Sequence, residues 1–492
     1  MKKQHISKKW SILALLLTLT QATVAFAGSQ PSQIEQVIKN TVSAYGGNHL
    51  LNLKSLALEE KYIGFSDGQS TDPDEVDKGD YHVKVAVDFK NGRKDFRWIR
   101  GNKASYSTMH QLYNGNTGYR IDHDAKTKSQ SSGLNFANVD RRHLYSLDAF
   151  LVKLMHENGT SAKYDGEINL YGDRHHQVSF QAEGYPEMTL YIDQKTNLVT
   201  KMKRAHWVPG QFYYYHYSLP EKAQHIQYAT DTYVTRNGQP YSVTVSRRVQ
   251  VKDLPDSYFD LPENYNDAPE SLDFSEMSVQ QIAENTYLAG KGWGFSIFVD
   301  VGSYFVAAGG YDGLTERYKA MKAFAGLDKP LKYFVVSHHH TDHLGGMAEV
   351  AELGANFITV GEHIARIREM AETDLPDGRF ITIDKQSNFF DGVLRVIDFP
   401  NGHSTHNLMS YFPASQVLFS ADFYITRQKE GVPYGHSGLQ KFKKLLVAED
   451  IQVELFAAAH SGRVLTADDF EKSLKKTRES NCPQYWEICT AM

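Results

Sequence analysis

The run Ser337-His338-His339-His340-Thr341-Asp342-His343-Leu344-Gly345-Gly346 decides how the chain is read. Lys332-Tyr333-Phe334-Val335-Val336 precedes it, a β-branched and aromatic stretch expected to form a buried strand. Met347 to Leu353 follows, expected as a helix closed by Gly354. Histidines and an aspartate therefore stand where a strand ends and a loop turns into a helix. Alternate residues of an extended segment share a face, so His338 and His340 can grip one ion while His339 points away. Asp342 and His343 come after the bend and can face a second ion. Imidazole and carboxylate donors in this mixture suit Zn²⁺, Mn²⁺ or Fe²⁺.

This motif resembles the signature of the metallo-β-lactamase-fold superfamily. Phe399-Pro400-Asn401-Gly402-His403-Ser404 looks like that family's strand followed by a Gly-His loop, which makes His403 the third ligand beside His338 and His340. Val417-Leu418-Phe419-Ser420-Ala421-Asp422 resembles the strand that ends in a bridging carboxylate, Asp422. Ala457-Ala458-Ala459-His460-Ser461-Gly462 resembles the strand-end element that joins His460 to Asp342 and His343. The resemblance implies two divalent ions per chain, zinc first, with iron or manganese as alternatives. It implies a metal-bridging hydroxide attacking an ester, thioester, lactone or phosphoester bond, with Asp342 orienting that hydroxide. An aspartate at 422 makes the pattern more similar to the glyoxalase, lactonase and phosphodiesterase branches than to true β-lactamases. One departure stands out. Val306-Ala307-Ala308-Gly309-Gly310 lacks the early Asp that in many members buttresses the metal loop.

The expected fold class is α/β: a C-terminal αββα sandwich over about 275–480, preceded by an α+β domain dominated by an antiparallel sheet over 28–268, with a tail at 481–492. In the C-terminal part, strands are expected at 279–283, 286–288, 295–299 and 303–307, then a helix at 312–325 and the motif strand. A helix at 362–372, strands at 379–383, 393–399, 408–412 and 416–420, a helix at 439–448, a strand at 453–459 and a helix at 466–478 complete the order. Pro262, Asn264, Asn266, Asp267 and Pro269 mark a linker between the two parts.

The N-terminal part opens with a helix, with Ile34, Val37, Ile38, Val42 and Tyr45 at helical spacing and Gly46-Gly47 as the stop. A helical segment is expected at 147–156, among strands divided by Asn91-Gly92, Asn114-Gly115, Tyr171-Gly172-Asp173 and Asn237-Gly238. The Tyr-Gly-Gly opening, Leu190-Tyr191-Ile192-Asp193 and Phe259-Asp260-Leu261-Pro262 resemble the lipoprotein-carrier or lipoprotein-sorting type of curved sheet. That resemblance implies a concave face able to hold a lipid-like ligand, or a sheet that only supports the metal domain. The aromatic run Phe212-Tyr213-Tyr214-Tyr215-His216-Tyr217 reads chiefly as strand filling.

Residues 1–27 read as a secretory signal peptide: Lys2, Lys3, Lys8 and Lys9, then the apolar stretch from Trp10 to Leu19, then Ala25-Phe26-Ala27. Export to the periplasm or beyond is therefore expected, without stable membrane insertion. Cys482 and Cys489 are the only cysteines of the chain, and in an oxidising compartment they can close a small loop. The 492 residues carry a formal charge of −5, with 41% hydrophobic and 23% charged residues. The balance is that of a soluble globular protein of more than one domain, and it offers nucleic acid no electrostatic footprint. The expected partner is a small-molecule substrate, and the sequence leaves the oligomeric state open. Two other readings stay open at this point. One is an iron-dependent dioxygenase of the persulfide type on the same scaffold, which oxygen uptake would reveal. The other is a lipid-binding protein with an incidental metal domain, which a co-purified lipid would reveal.

Overall fold

Ser32 starts the first helix, Gln33–Ala44, with a reciprocal cap: its hydroxyl accepts from the Glu35 N–H, and the Glu35 carboxylate accepts from the Ser32 N–H. The computed structural model describes residues 32–490 apart from 67, 103–104, 207–209 and 480. The expected signal peptide lies outside the described residues. Val37, Ile38 and Val42 of the first helix and Phe150, Leu151 and Leu154 of the helix Asp148–Glu157 share one apolar cluster with the sheet beside them. The sheet contributes Val83, Val85 and Val87 from one strand and Tyr213, Tyr215 and Tyr217 from another. That period of two places the helices on one face of the sheet. The aromatic run thus sends every second ring into the core.

This sheet has fourteen strands among the described residues. From Ser55–Phe65 to Thr127–Gln130 each strand pairs antiparallel with the next, and Gln239–Val251 returns to pair with Ser55–Phe65. Asn237 and Gly238 both take positive φ at the hairpin leading into Gln239–Val251, as a tight primed turn requires. Asn266–Asp267, read from the sequence as linker, adds a short parallel strand beside Thr127–Gln130.

Two further sheets build the C-terminal half. One runs in chain order from Ser278–Ala283 through Thr286–Lys291, Gly294–Asp300, Phe305–Ala308, Leu331–Val335 and Asn356–Thr359 to Phe380–Thr382. The other runs from Gln386–Phe389 through Leu394–Asp398, Leu408–Phe412, Val417–Phe419 and Leu455–Ala458 to Ser461–Thr466. Alternate side chains sort into layers. Ile297, Val306, Val335 and Ile358 meet Val396, Leu408, Val417 and Phe419 between the sheets. Phe298, Phe305, Phe334 and Phe357 face the other way, onto the helices Leu314–Ala325, Met347–Glu352 and Ile364–Ala371. Met409, Leu418 and Phe456 pack outward on Ser437–Ala448 and Ala467–Lys475. The architecture is helix, sheet, sheet, helix, as expected.

Three strands were not anticipated: Asn356–Thr359, Gln386–Phe389 and Ser461–Thr466. Each is short, polar or interrupted by glycine, and each owes its extended form to the neighbour it pairs with.

The C-terminal segment returns to the N-terminal sheet. Cys482 and Cys489 are joined, with Cα atoms 5.4 Å apart. Trp486 is fully buried beside Ile99, and Lys84 Nζ donates to the Tyr485 carbonyl at 2.8 Å. Among the described residues no helix is long and apolar enough to cross a membrane.

Candidate metal centre

The donors arrive from the carboxyl ends of strands in both sheets. Leu331–Val335 leads into His338, His340, Asp342 and His343. Leu394–Asp398 leads into His403. Val417–Phe419 and Leu455–Ala458 are parallel neighbours, so their ends bring Asp422 and His460 side by side. Gly345 and Gly346 let the metal loop turn closely against Asp312 and the Tyr311 carbonyl, where a Cβ would come within 2.5 Å of either.

All seven expected residues meet. His338, His340 and His403 form one group whose donor atoms lie within 4.8 Å of one another, and Asp342, His343 and His460 form another. His338 Nε2 and His403 Nε2 face each other at 3.2 Å. Asp422 touches both groups. Its Oδ2 lies 3.2 Å from His403 Nε2 and 3.3 Å from His460 Nε2, and its Oδ1 lies 2.8 Å from His343 Nε2. His339 points out of the cluster, toward the Ser70 carbonyl at 2.9 Å and the Ser404 hydroxyl at 3.4 Å.

Burial and neighbouring charges together set the protonation of the cluster. Desolvation, reinforced by neighbouring His343, drives His338 well below the usual histidine range. Desolvation and His403 bring His340 down to about 4. Burial alone would raise Asp422, but His343 and hydrogen bonds from His343, His403 and His460 outweigh it and hold the carboxylate well below its ordinary value. His338 and His340 are thus neutral and Asp422 ionised, the forms in which these groups bind a cation, while against the opposing effect of burial the hydrogen bond to Asp422 and its charge raise His460 above the ordinary histidine value. Among the described residues His340 Nδ1 is buried without a hydrogen-bond partner, as a donor aimed at a cation would be.

A layer that sequence reasoning missed comes from the N-terminal sheet. The loop between Ser55–Phe65 and Lys78–Asp88 lies against the metal loop. Thr341 N–H donates to the Gly68 carbonyl at 3.0 Å, and Thr405 N–H to the Thr71 carbonyl at 2.8 Å. His340 Nε2 is 2.9 Å from the Ser70 carbonyl, which leaves its Nδ1 for the cluster. Gln69 Nε2 donates to Asp342 Oδ1 at 2.8 Å. Tyr311 was missed as well. Its hydroxyl lies 3.3 Å from Asp342 Oδ2 and 3.0 Å from His343 Nε2. The only sequence signal for it was its place directly after Gly309-Gly310, in the stretch that lacks the usual carboxylate.

The segment after Asp422 divides between the core and the rim of the centre. Tyr424 is buried and its hydroxyl pairs with Ser473 Oγ at 2.8 Å. Arg427 donates to the Gly292 carbonyl and lies 4.0 Å from the Trp293 ring centroid. His436 and Lys441 do border the centre: with His403, Asp422, Asn401 and Phe423 they line a cavity of about 530 Å³. In the N-terminal half, Tyr62, Tyr81, Trp98, Arg141, Arg142 and Arg204 line a second cavity of about 260 Å³. Its walls combine these aromatic rings and guanidinium groups with the carboxylates of Glu60 and Asp140.

Residues 284–475 match the family model of the metallo-beta-lactamase superfamily. This part of the chain is a metallo-beta-lactamase domain. A metallo-beta-lactamase from Pontibacter korlensis is similar at 19% identity, covering 41% of this chain and 98% of its own, with a TM-score of 0.33. The flavodiiron protein from Giardia intestinalis is similar at 16% identity, over 41% of this chain and 58% of its own, with a TM-score of 0.33. A LolA superfamily protein from Nitrosomonas europaea is similar at 12% identity, over 46% of this chain and 97% of its own, with a TM-score of 0.32. The metallo-beta-lactamase fold implies divalent metal binding and suggests metal-dependent hydrolysis, and the donor set described above suits both.

Proposed function

We propose that the protein is an exported binuclear metal-dependent hydrolase acting on an ester, thioester, lactone or phosphoester bond. The observation that carries this reading is Asp422, one carboxylate in reach of donors from both histidine groups. His338, His340 and His403 would hold one ion and Asp342, His343 and His460 the other, with Asp422 shared. Bound there, divalent ions supply Lewis acidity and a water acidic enough to act as nucleophile near neutral pH. The chain's own residues do the positioning. The Ser70 carbonyl fixes the His340 ring and Gln69 fixes Asp342, the carboxylate that would orient a water. The cavity beside His403 and Asp422 is where a substrate can approach both groups, with Lys441 and His436 on its rim to meet an anionic one. Export is supported by the leader pattern of residues 1–27 and by the Cys482–Cys489 link.

Asp422→Ala tests the reading. Without the shared carboxylate the two cations repel each other unscreened, while the first histidine group remains intact. Metal content should fall from two ions per chain toward one, and turnover by at least about a hundredfold, the scale of a misplaced catalytic group. Full activity with two tightly held ions would show that Asp422 is not the bridge. Oxygen uptake by the iron-loaded protein would instead point to the dioxygenase reading.

A further inference from the structure

We infer that Tyr311 is a protein donor to the ion held by Asp342, His343 and His460. This rests on the metal-centre reading above and adds a ligand to it. Around a five-coordinate ion with bonds of about 2.0–2.1 Å, neighbouring ligand atoms stand roughly 2.9–3.5 Å apart. Tyr311 Oη lies 3.3 Å from Asp342 Oδ2, 3.0 Å from His343 Nε2 and 2.5 Å from His460 Nε2. Asp342 Oδ2 is itself 4.0 Å from His343 Nε2 and 3.6 Å from His460 Nε2. From Asp342 and His343 the phenol oxygen is spaced like a further corner of the polyhedron and is too far to stand at the ion's own position, while it leans closer to His460.

The chain is built to hold the ring there. Gly309 takes φ +92°, and a Cβ on Gly310 would come within 2.4 Å of the His343 carbonyl. Gly294 leaves room for the ring, since a Cβ there would sit 2.7 Å from Tyr311 Cβ. Arg317 Nη2 donates to the Tyr311 carbonyl at 2.6 Å, and the ring lies 4.8 Å from His343 and 5.1 Å from His460, centroid to centroid. The glycine pair that lacks the usual carboxylate thus delivers an oxygen donor one residue later. The consequence is chemical asymmetry. The first position is dominated by imidazole nitrogen; the second takes oxygen from Asp342, Asp422 and Tyr311. Oxygen-rich donor sets favour harder ions, so the second position should accept manganese or iron more readily than the first.

The test titrates metal-free wild type and Tyr311→Phe with cobalt(II), counting ions per chain and recording the visible spectrum after each addition. Wild type should take two ions. The variant should take the first with unchanged affinity and spectrum, and the second at least about tenfold more weakly with an altered spectrum. Tyr311→His, which returns a ring donor, should recover part of that loss. Equal second-ion affinity and an identical spectrum in Tyr311→Phe would overturn the inference and leave the metal centre standing. One ion in wild type but two in Tyr311→Phe would overturn it too, by showing that the phenol plugs the second position. Wild type that takes up no ion would overturn the metal centre itself.

Discussion

His339 stands between two metal-facing histidines and turns its back on them, yet it is nearly as buried as they are. Its ring nitrogens reach the Ser70 carbonyl and the Ser404 hydroxyl, so it joins the metal loop to the N-terminal half and to the loop that carries His403. His339→Ala should therefore keep both ions but lower stability by about 1–3 kcal/mol, the usual cost of leaving a buried polar partner unmet. Metal analysis and a denaturant melt separate the two effects, and loss of an ion would mean that His339 is itself a ligand. The alternation that turns His339 away was readable from sequence, because an extended segment has only two faces. The seven candidate donors were proposed because the motif at 338–343 resembles a family signature whose further ligands follow apolar strands, and the fold brings all seven together. Gln69 and Tyr311 carried no such mark. An amide in a polar loop and a tyrosine after two glycines acquire a role only when folding sets them beside Asp342.

At the scale of elements, the loop between Ser55–Phe65 and Lys78–Asp88 matters most. Asp77 Oδ2 accepts from both the Thr71 N–H and its hydroxyl at 2.8 Å, and the Asp77 N–H meets Ser70 Oγ at 3.2 Å, so the loop is closed on itself before it touches the metal loop. Gly68 takes φ +70°, and a Cβ there would come within 2.5 Å of Thr341 Cγ2. Such a loop can orient ligands rather than merely cover them. Gln69→Ala removes the hydrogen bond that Gln69 gives Asp342 Oδ1, and metal affinity or turnover should fall about 10–100-fold, the range for lost outer partners of a metal ligand. Isothermal titration of the metal-free protein would check this, and an unchanged affinity for both ions with unchanged turnover would reduce the loop to a lid. The long alternating strands and amphipathic helices were legible because their periodicity is a local property. The short strands at 356–359, 386–389 and 461–466 were not, because pairing with neighbours distant in sequence makes them extended.

Across the whole molecule, the two halves share an acid sensitivity that the sequence hides. In the N-terminal half, burial and then the nearby His110 and Arg97 push His123 down to about 4. In the metal domain, burial and then the neighbouring His339, His406 and His340 push His363 down to about 3. Both are neutral in the folded chain, whereas in the unfolded chain they titrate near the ordinary histidine value of about 6.5. Between those values the unfolded state binds more protons than the folded one, so stability rises with pH there. The contribution is complete above about pH 6.5 and is lost as pH falls toward about 4 for His123 and about 3 for His363. Metal binding steepens the same trend, because protons compete for the ring nitrogens of His338 and His340. The melting temperature of the metal-free protein should therefore fall steadily from pH 7 to pH 4, and that of the metal-loaded protein should fall faster. His363→Gln, which keeps a polar group in the site but cannot titrate, should flatten part of the metal-free curve. A metal-free melting temperature that holds level or rises on acidification would mean that these histidines are already protonated in the native chain.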